Sequence, residues 1–431
     1  MSNLNERTLT FYKNADIDKR KDEGQYMTPY NIVIESLKDI TFNSDHKVLE
    51  PSFGTGQFVD KLIDKKYKNI YAVEKDKSLF ELSKNTYKNL TTTCFNLINA
   101  DFLTHNFNTK FDLIIGNPPY FEMECSEQEK KLFKDVICGR PNIYSLFIKK
   151  SIDLLENNGI LCFVIPTSLL SSKYFEKTRE YIIKYCNIHK ILKLSNDLFD
   201  SALQKTMIFQ IIKRSNNQKF DNKFTVQIGD TFIFSPDYIE VNDFLKDKTF
   251  IKDLNCNVKT GSIVWNQFRD KYKDKFINDS KSNNIDNIPL IYPRNLKNGK
   301  IILNKDDKKP QYIKHDIHIQ PISGPVIVIN RIIGLDNLSL HPILIEKGKY
   351  FFENHINYIT GSLDNLIKIK NTLDNENTIK FIKKIIGNTQ LSKTELETMI
   401  PIDINNDDDN ESYLSDDDQL NEDDFNDIFN N

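Results

Sequence analysis

The chain has 431 residues and a formal net charge of −3, with 39% hydrophobic and 11% aromatic residues. This length and apolar content allow two domains with buried cores and an additional tail. No apolar run approaches the roughly 18 residues of a membrane span, and no charged-then-apolar leader opens the chain, which predicts an intracellular, soluble protein without a signal peptide. The six cysteines are scattered without a C-x-x-C pair, which predicts reduced thiols and no metal site.

The small net charge conceals a strong asymmetry along the chain. Residues 401–431 hold 12 of the 61 acidic residues and no Lys or Arg, which leaves 58 basic against 49 acidic residues elsewhere, a net charge of +9. A basic body fits a nucleic-acid-binding protein, because neutralisation of phosphates drives such binding. A solvated, Lys-rich surface fits the same numbers. The segment 401–431 is too acidic and low in complexity to bury a core, and we expect it to be disordered.

The first segments of the chain predict a polar arm and then a helix. Residues 1–23 are polar and predict an N-terminal arm or a short helix. In the following segment GQYMTPY, Thr28 can cap a helix and Pro29 can occupy its first turn. Val33 and Leu37 then supply an apolar face at helical spacing.

A strand, a glycine-rich turn, a helix and a second strand come next. The first strand ends on Glu50, the turn is PSFGTG at 51–56, and the second strand ends on Glu74. In a parallel sheet these two acids share one rim, where ligands of open α/β sheets bind. An acid about 20 residues after the glycines suits a ribose diol, and the missing third glycine favours a nucleoside without phosphates. Without the two acids, an ordinary turn would be the preferred interpretation of this G-x-G.

The same pattern repeats once more. A helix over 77–84 leads to a strand over 95–98, and Asp101 follows that strand. We therefore expect Asp101 on the same rim as Glu50 and Glu74. Its carboxylate could accept a hydrogen bond from the exocyclic amine of an adenine, with Phe102 covering the ring. A helix cap or a place in the core remains open for both residues.

The next apolar strand, which begins at Phe111, ends in the tetrapeptide Asn117-Pro118-Pro119-Tyr120. Two consecutive prolines restrict the backbone and hold Asn117 in a rigid extended turn. The carbonyls of the Asn117 side chain and of Pro118 could then grip both hydrogens of a planar amino group and aim its lone pair. Tyr120 offers a flat face on which a ring can stack. A purely structural Pro-Pro turn that closes the strand is the less favoured alternative for the tetrapeptide.

The character of the chain changes after about residue 214. Strands are predicted over 160–165, 188–194 and 206–212, the last two as an antiparallel hairpin at the sheet edge, and these complete a domain over 24–214. Residues 215–400 contain short β-like runs with many Asn and Lys residues, and little helical periodicity before about residue 375. They predict a second, β-rich domain.

Taken in order, these segments resemble the S-adenosylmethionine-dependent, adenine-specific DNA methyltransferases. The resemblance is carried by GQYMTP at 24–29, LEP at 49–51, GTG at 54–56, Glu74, ADF at 100–102 and NPPY at 117–120. This order is similar to the gamma arrangement of type II restriction-modification enzymes such as the Taq methyltransferase, in which the cofactor motifs precede target recognition. It implies an α/β fold: a Rossmann-like, mostly parallel sheet with helices on both faces, plus a C-terminal β-rich target-recognition domain.

The resemblance also implies a role for each matching position. Thr28 and its neighbours would contact the methionine part of the cofactor, Glu50 its ammonium, Glu74 its ribose, and Asp101 with Phe102 its adenine. The cofactor-binding set is Tyr26, Thr28, Glu50, Pro51, Phe53, Gly54, Gly56, Glu74, Asp101, Phe102 and Asn117. The catalytic set is Asn117, Pro118, Pro119, Tyr120 and Phe199. Phe199 is the candidate aromatic over the flipped base, and a core role is equally open for it.

Residues that contact DNA are expected in the C-terminal half. Arg, Asn, Gln and Lys on a loop-rich β scaffold are the residue types that read base edges in the major groove. The candidates are Lys259, Thr260, Gly261, Trp265, Asn266, Arg269, Arg294 and Arg331. Trp265, the only tryptophan, also suits a core anchor. The arginines suit phosphate contacts as well as base contacts.

The function predicted is methyl transfer from S-adenosylmethionine to N6 of a flipped-out adenine in double-stranded DNA. The resemblance implies a monomer and allows a separate cognate endonuclease. Asn-Pro-Pro-Tyr also occurs in enzymes that methylate a glutamine amide of a translation release factor, but those lack a large C-terminal recognition domain. Methylation of adenine in RNA, methylation of cytosine N4, and a catalytically inactive DNA-binding protein also stay open at this point.

Overall fold

The chain folds into two compact units, Met1–Ile239 and Glu240–Asn431. They are seen in a computed structural model. The residues that the structure describes are 4–14, 26–41, 43–87, 93–195, 205–267, 276–277, 287–297, 299–303, 309–314, 318–332, 340–386 and 390–404.

The first unit is built on a seven-stranded sheet in the order β3-β2-β1-β4-β5-β7-β6. The strands β3, β2, β1, β4 and β5 run parallel to one another, and β7 runs antiparallel to both β5 and β6. Both the mostly parallel sheet and the antiparallel hairpin at its edge are confirmed. The strands are β1 Lys47–Glu50, β2 Asn69–Glu74, β3 Cys94–Asn99, β4 Phe111–Gly116, β5 Leu155–Pro166, β6 Cys186–Lys193 and β7 Thr206–Lys213.

Helices cover both faces of this sheet. Successive strand residues alternate between two hydrophobic cores, with Leu113 and Ile115 in one and Ile114 in the other. The helices are α1 Glu6–Asn14, α2 Tyr30–Leu37, α3 Gln57–Asp64, α4 Lys77–Lys84, α5 Glu127–Leu132, α6 Ile143–Leu154 and α7 Glu176–Tyr185.

Helix starts follow local chemistry at most of these positions. The Asp76 carboxylate accepts from the Ser78 and Leu79 amides at the start of α4, and Asn142 caps α6. The start of α2 differs from the prediction, because its N-cap is Pro29 without a side-chain hydrogen bond, and helical geometry begins at Tyr30. Thr28 is buried and caps nothing.

A hairpin of β8 Thr225–Ile228 and β9 Thr231–Phe234 also belongs to the first unit. The fully buried Arg179 of α7 donates from Nε to the Phe232 carbonyl at 2.6 Å, and the rings of Phe209 and Phe234 stack with centroids 6.0 Å apart. The division between the units therefore falls later in the chain than the sequence boundary at residue 214.

The second unit contains two larger β-sheets. One has the order β11-β21-β18-β19 and is antiparallel throughout, and the other has the order β12-β16-β13-β20-β17 with one parallel pair. Their strands are β11 Asn257–Thr260, β12 Phe276–Ile277, β13 Asn287–Ile291, β16 Tyr312–Lys314, β17 Ile322–Ser323, β18 Val326–Asn330, β19 Ile343–Ile345, β20 Lys349–Phe352 and β21 Ile356–Thr360. Two-stranded pairs add β10 Thr249–Phe250 with β22 Pro401–Ile402, and β14 Leu296–Lys297 with β15 Lys300–Ile301.

The β-rich character predicted for the second half is thus confirmed, as is the helical periodicity after about residue 375, but the helices before that point were not predicted. Helix α8 spans Tyr238–Leu245, and three more follow the sheets: α9 Leu363–Asp374, α10 Glu376–Ile385 and α11 Lys393–Thr398. Leu366, Ile369 and Leu373 of α9 are fully buried at helical spacing. Within the described part of the chain, no helix is long and apolar enough to cross a membrane.

Candidate active site

A cavity of about 540 Å³ lies at the carboxyl ends of β1, β2 and β4. The strand order reverses between β1 and β4, and this is the point at which open α/β sheets bind ligands. The volume is in the range of about 300–1,000 Å³ that small-molecule sites occupy. The lining residues are Tyr26, Met27, Thr28, Glu50, Pro51, Ser52, Phe53, Gly54, Thr55, Gln57, Phe58, Val73, Glu74, Lys75, Asp76, Ala100, Asp101, Phe102, Asn117, Pro119, Phe121, Ile143 and Phe147.

The glycine-rich turn forms one wall of this cavity. Gly54 and Gly56 have φ of +56° and +78°, which favours glycine at both positions. Gly54 lines the cavity, whereas Gly56 lies behind it: a Cβ at Gly56 would come within 2.5 Å of the Phe53 ring and of the Tyr87 hydroxyl. The contribution of Gly56 is therefore to let Phe53 pack closely behind the turn.

Glu74 connects this turn to the start of α4. Its Oε2 accepts from the Gly54 amide and its Oε1 from the Asp76 amide, each at 2.7 Å. The side chain is buried, and this burial raises the pKa of Glu74 to about 7. Each carboxylate oxygen can still accept a further hydrogen bond from a ligand.

Glu50 is the most deeply buried acid of the site, with 2% of its surface exposed. Burial raises the pKa of Glu50 well above its usual range, and the nearby negative charges of Asp60 and Glu74 raise it further. Its Oε2 has no hydrogen-bond partner among the described residues. A buried carboxylate oxygen in this state is stabilised by a proton or by a cationic ligand group.

Asp101 and Phe102 line the cavity on the β3 side. Asp101 accepts from the Leu103 amide at 2.9 Å and pairs with the Lys75 ammonium at 2.8 Å. Phe102 is 2% exposed and packs against Phe147, with ring centroids 4.9 Å apart. The place in the core that the local sequence left open is confirmed for Phe102, together with a position on the cavity wall, whereas Asp101 caps no helix: it accepts within a turn and also lines the cavity.

The Asn117 carboxamide is held at both ends. Its Nδ2 donates to the Tyr26 carbonyl at 2.9 Å, and its Oδ1 accepts from the Tyr120 hydroxyl. The same hydroxyl lies 2.5 Å from the Val164 carbonyl, and because it has one hydrogen it can donate to one of the two oxygens at a time. An incoming amino group would compete with Tyr120 for Asn117 Oδ1 or use its second lone pair.

Three residues of the two predicted site sets lie outside the lining of this cavity. Pro118 is buried, Tyr120 points its hydroxyl toward β5, and Gly56 packs behind the turn. Phe199 falls outside the described residues. All the others of these sets line the cavity together.

Sequence reasoning missed several residues of the lining. Ser52 donates to the Asn117 backbone carbonyl at 3.0 Å and so joins the glycine-rich turn to the Asn117 loop. Ile143 and Phe147 of α6 stand four residues apart, a spacing that the sequence alone assigns to a core face. Their exposure to the cavity follows from where β4 ends, which local spacing does not encode.

The residues predicted to contact DNA are spread over the second unit. Lys259, Asn266 and Arg294 are exposed, and Arg269 lies outside the described residues. Thr260 donates to Asn357 Oδ1 at 2.9 Å.

Two other residues predicted to contact DNA, Gly261 and Arg331, pack against backbone carbonyls of the second unit. A Cβ at Gly261 would lie 2.2 Å from the Glu353 carbonyl, so this glycine is required for close packing. Arg331 is partly buried, and its guanidinium donates to the Asn354 carbonyl at 3.4 Å.

A cluster of cations and aromatic rings surrounds Tyr292. Arg294 and the Lys309 ammonium each lie 5.1 Å from the centroid of the Tyr292 ring, and Lys309 lies 5.8 Å from that of Trp265. Trp265 is half-buried against a small hydrophobic core and meets Tyr292 edge to face at 6.2 Å. The sequence singled out Trp265 and Arg294 but neither Tyr292 as their partner nor Lys309.

Comparison with known proteins places this cavity in context. Residues 55–199 match the family described as Eco57I restriction-modification methylase. Over 400 residues the chain is 28% identical to the type II methyltransferase M.CvrRI of Paramecium bursaria Chlorella virus XZ-6E, covering 91% of this chain and 97% of that protein. The chain is a homologue of the type II restriction-modification methyltransferases.

Two further relatives of the methyltransferase class match shorter stretches. The type II methyltransferase M.AccI of Acinetobacter calcoaceticus is 28% identical over 61% of this chain and 51% of its own length. The type II methyltransferase M.HincII of Haemophilus influenzae is 32% identical over 47% of this chain and 39% of its own length.

The cofactor of this class is S-adenosylmethionine, and the residues of the cavity fit it. The unpartnered Glu50 oxygen suits an ammonium group, and the Glu74 carboxylate at the carboxyl end of β2 suits a ribose diol. The lining also combines aromatic and aliphatic side chains with a few polar groups, as cofactor sites do.

Proposed function

We propose that the chain transfers a methyl group from S-adenosylmethionine to N6 of an adenine in double-stranded DNA. The observation that carries this proposal is the convergence of the Asn117 carboxamide with Glu50 and Glu74 on one cavity. An amino group inside a base pair cannot enter that cavity, so the base must rotate out of the helix at a cost of a few kcal/mol. The restriction-modification relatives support DNA as the acceptor.

On the cofactor side, this chain's residues bind and orient. Glu50 would hold the ammonium of the methionine part through its unpartnered Oε2, Glu74 the ribose hydroxyls, and Asp101 with Phe102 the adenine. When bound, the cofactor supplies an electrophilic methyl group on a sulfonium. The fixed carboxylates replace water around the charged groups and thus set the direction of the methyl group.

On the acceptor side, Asn117 Oδ1 and the Pro118 carbonyl would accept the two hydrogens of the amino group. The Tyr26–Asn117 hydrogen bond keeps the carboxamide from rotating, so the oxygen stays aimed at the acceptor. Tyr120 would give up its bond to Asn117 Oδ1, retain the Val164 carbonyl as an acceptor, and present its ring to the base. Transfer then depends on position and electrostatics, without a covalent nucleophile.

The second unit would read the DNA sequence. The exposed side chains of Lys259, Asn266 and Arg294 are of the types that contact base edges and phosphates, and the half-buried Trp265 ring provides apolar contact area, supported edge to face by the buried Tyr292. We further propose that the protein acts as a monomer, and the match to a restriction-modification family allows a separate cognate endonuclease. Asn rather than Ser at position 117 favours adenine N6 over cytosine N4.

The affinity for S-adenosylmethionine is expected to rise with pH. The pKa of Glu74 is about 7, and the pKa of Glu50 is raised above its usual range, so part of the cofactor-free protein is protonated at the site. Because the cofactor would require ionised carboxylates, its Kd should fall about tenfold between about pH 6 and pH 8. Titration calorimetry in two buffers of different ionisation enthalpy measures both the Kd and the released protons; a flat profile without proton release contradicts this assignment.

The Glu74 carboxyl also makes the stability of the cofactor-free protein depend on pH. This stability falls as the pH rises, whereas the affinity for the cofactor increases. The folded pKa of Glu74, about 7, lies above the ordinary value of 4.5. The folded state therefore holds this proton more tightly, and the stability it contributes is full below about pH 4.5 and is lost as the pH rises through about 7.

The choice of polymer is tested in one incubation. Purified protein and labelled S-adenosylmethionine are mixed with mixed-sequence duplex DNA, structured RNA or a translation release factor in parallel. Label in the duplex DNA is expected. Label confined to RNA or to the release factor contradicts the DNA assignment, and binding of DNA without any label supports an inactive DNA-binding protein.

A further inference from the structure

The N-terminal segment reaches the glycine-rich turn of the candidate site. Asn5 Nδ2 and Arg7 Nε both donate to the Thr55 carbonyl, at 3.0 and 2.9 Å. The hydroxyls of Thr8 and Thr55, both buried, lie 2.5 Å apart, and Gln57 Nε2 donates to the Thr8 hydroxyl at 3.2 Å. Thr55 stands between Gly54 and Gly56 and lines the cavity, so three side chains of this segment hold the middle of the turn.

The carboxylate of Asp60, in α3, accepts hydrogen bonds from Arg7 of this segment and from two tyrosines. It accepts from Arg7 at 2.7 and 2.8 Å, from the Tyr87 hydroxyl at 2.6 Å and from the Tyr30 hydroxyl at 2.7 Å. The side chains of Arg7 and Asp60 are only 16% and 21% exposed, so solvent screens this ion pair little.

The segment at 26–28, which also lines the cavity, is tied to helix α1. The Tyr12 hydroxyl of α1 accepts from the Met27 amide at 3.3 Å. Tyr30, which reaches Asp60, follows Met27 and Thr28 closely at the start of α2. Helix α1 thus touches both the turn at 54–56 and the segment at 26–28, two parts of the wall that are otherwise separate in the chain.

We propose that Arg7 and Asp60 are positioning residues for the cofactor, which fasten α1 across the glycine-rich turn and so make the N-terminal arm part of the cofactor site. This inference rests on the proposed cofactor site. Arg7 touches no cavity surface itself and acts through Thr55 and Asp60. A flexible glycine turn that is held in advance loses less conformational freedom when a ligand binds.

Arg7 and Asp60 also affect the pKa of Glu50. The charged groups that face this carboxyl are Asp60 and Glu74, which raise its pKa, and Arg7, which lowers it. Removal of Arg7 leaves Asp60 uncompensated beside Glu50, so Glu50 should ionise at a higher pH. A residue with a merely structural role would leave this pH dependence unchanged.

The test measures the Kd for S-adenosylmethionine as a function of pH, by calorimetry on the full chain. Arg7→Met is expected to weaken binding about tenfold or more, and to move the rise in affinity to higher pH, while kcat at saturating cofactor changes less than about threefold. Arg7→Lys keeps the charge but loses the Thr55 contact, so its affinity should fall without a shift of the pH profile. In the double variant Arg7→Met/Asp60→Asn, the pH dependence of the affinity should return to that of the wild type.

Thermal unfolding of each variant separates this role from loss of the fold, and Lys38→Met, which removes a 67% exposed cation of the same unit, is the matched control. If Arg7→Met does not fold, Arg7→Lys tests the loss of affinity, and Asp60→Asn, which removes an acid that raises the pKa of Glu50, should move the rise in affinity to lower pH. Folded variants with wild-type affinity and an unshifted pH profile overturn the positioning role alone. A wild-type chain that binds no S-adenosylmethionine overturns the proposed function as well.

Discussion

Replacement of Asn117 by alanine is expected to lower kcat for methyl transfer by about 10²–10³-fold, the size of effect seen when one preorganised polar group is removed from a reacting centre. The carboxamide is fixed by Tyr26 and Tyr120, and its oxygen is the acceptor that would orient the amino group. The alanine variant loses that acceptor, while the carboxylates of Glu50 and Glu74 remain in place. The Kd for S-adenosylmethionine should therefore change less than about threefold.

Single-turnover transfer to duplex DNA and calorimetric binding of the cofactor measure the two effects separately. Asn69→Ala is the matched control, because Asn69 also donates from Nδ2 to a backbone carbonyl, that of Asp45 at 3.1 Å, but lies at the start of β2 away from the cavity. Its transfer rate should equal that of the wild type. An Asn117→Ala variant with near wild-type transfer would remove Asn117 from the reaction.

Replacement of Gly56 by alanine is expected to have the largest effect on stability and to weaken cofactor binding at the same time. The φ of +78° costs about 1 kcal/mol for a residue with a Cβ. The new Cβ would also lie 2.5 Å from the Phe53 ring and the Tyr87 hydroxyl, and such overpacking adds about 1–3 kcal/mol. Since Phe53 lines the cavity, its displacement distorts the cofactor site.

Gly139→Ala is the control that separates the cost of the positive φ from the cost of overpacking. Gly139 has a similar φ of +70°, but a Cβ there meets nothing within 4 Å. Thermal unfolding of this control should show only the backbone cost, a shift of roughly 2–4 °C, whereas Gly56→Ala should shift the midpoint by roughly 4–16 °C. Equal shifts for the two variants would mean that the packing of Phe53 against the turn does not matter.

The sequence predicted the rim of the sheet well because each strand there ends in a clear local signal. The first predicted strand ends on Glu50, as β1 does, and the predicted helix over 77–84 coincides with α4. Glu74 closes β2, and Asn117 follows directly on β4. Apolar runs, followed by glycine, proline or an acid, determine these boundaries locally.

Long-range contacts were not predictable in the same way. The bond from Tyr26 to Asn117 and those from Arg7 to Thr55 and Asp60 join residues far apart in the chain, and no spacing encodes them. The only sequence signal in residues 1–23 is their polarity, which is as typical of a free arm as of a helix packed on the domain.

Helix α9 was missed for a different reason. The spacing of Leu366, Ile369 and Leu373 is helical, and all three are buried. Leu363 and Ile367 of the same helix are 37% and 42% exposed, which blurs the apolar face in a segment rich in Asn and Lys.

Mass spectrometry of the modified nucleoside tests the central claim most directly. Duplex DNA of mixed sequence is incubated with the wild-type chain and with Asn117→Ala, using S-adenosylmethionine that carries a deuterated methyl group, and is then digested to nucleosides. The proposed site predicts deuterated N6-methyldeoxyadenosine from the wild type and almost none from the variant. Deuterium on cytosine, or equal N6-methyladenine from both proteins, would contradict it.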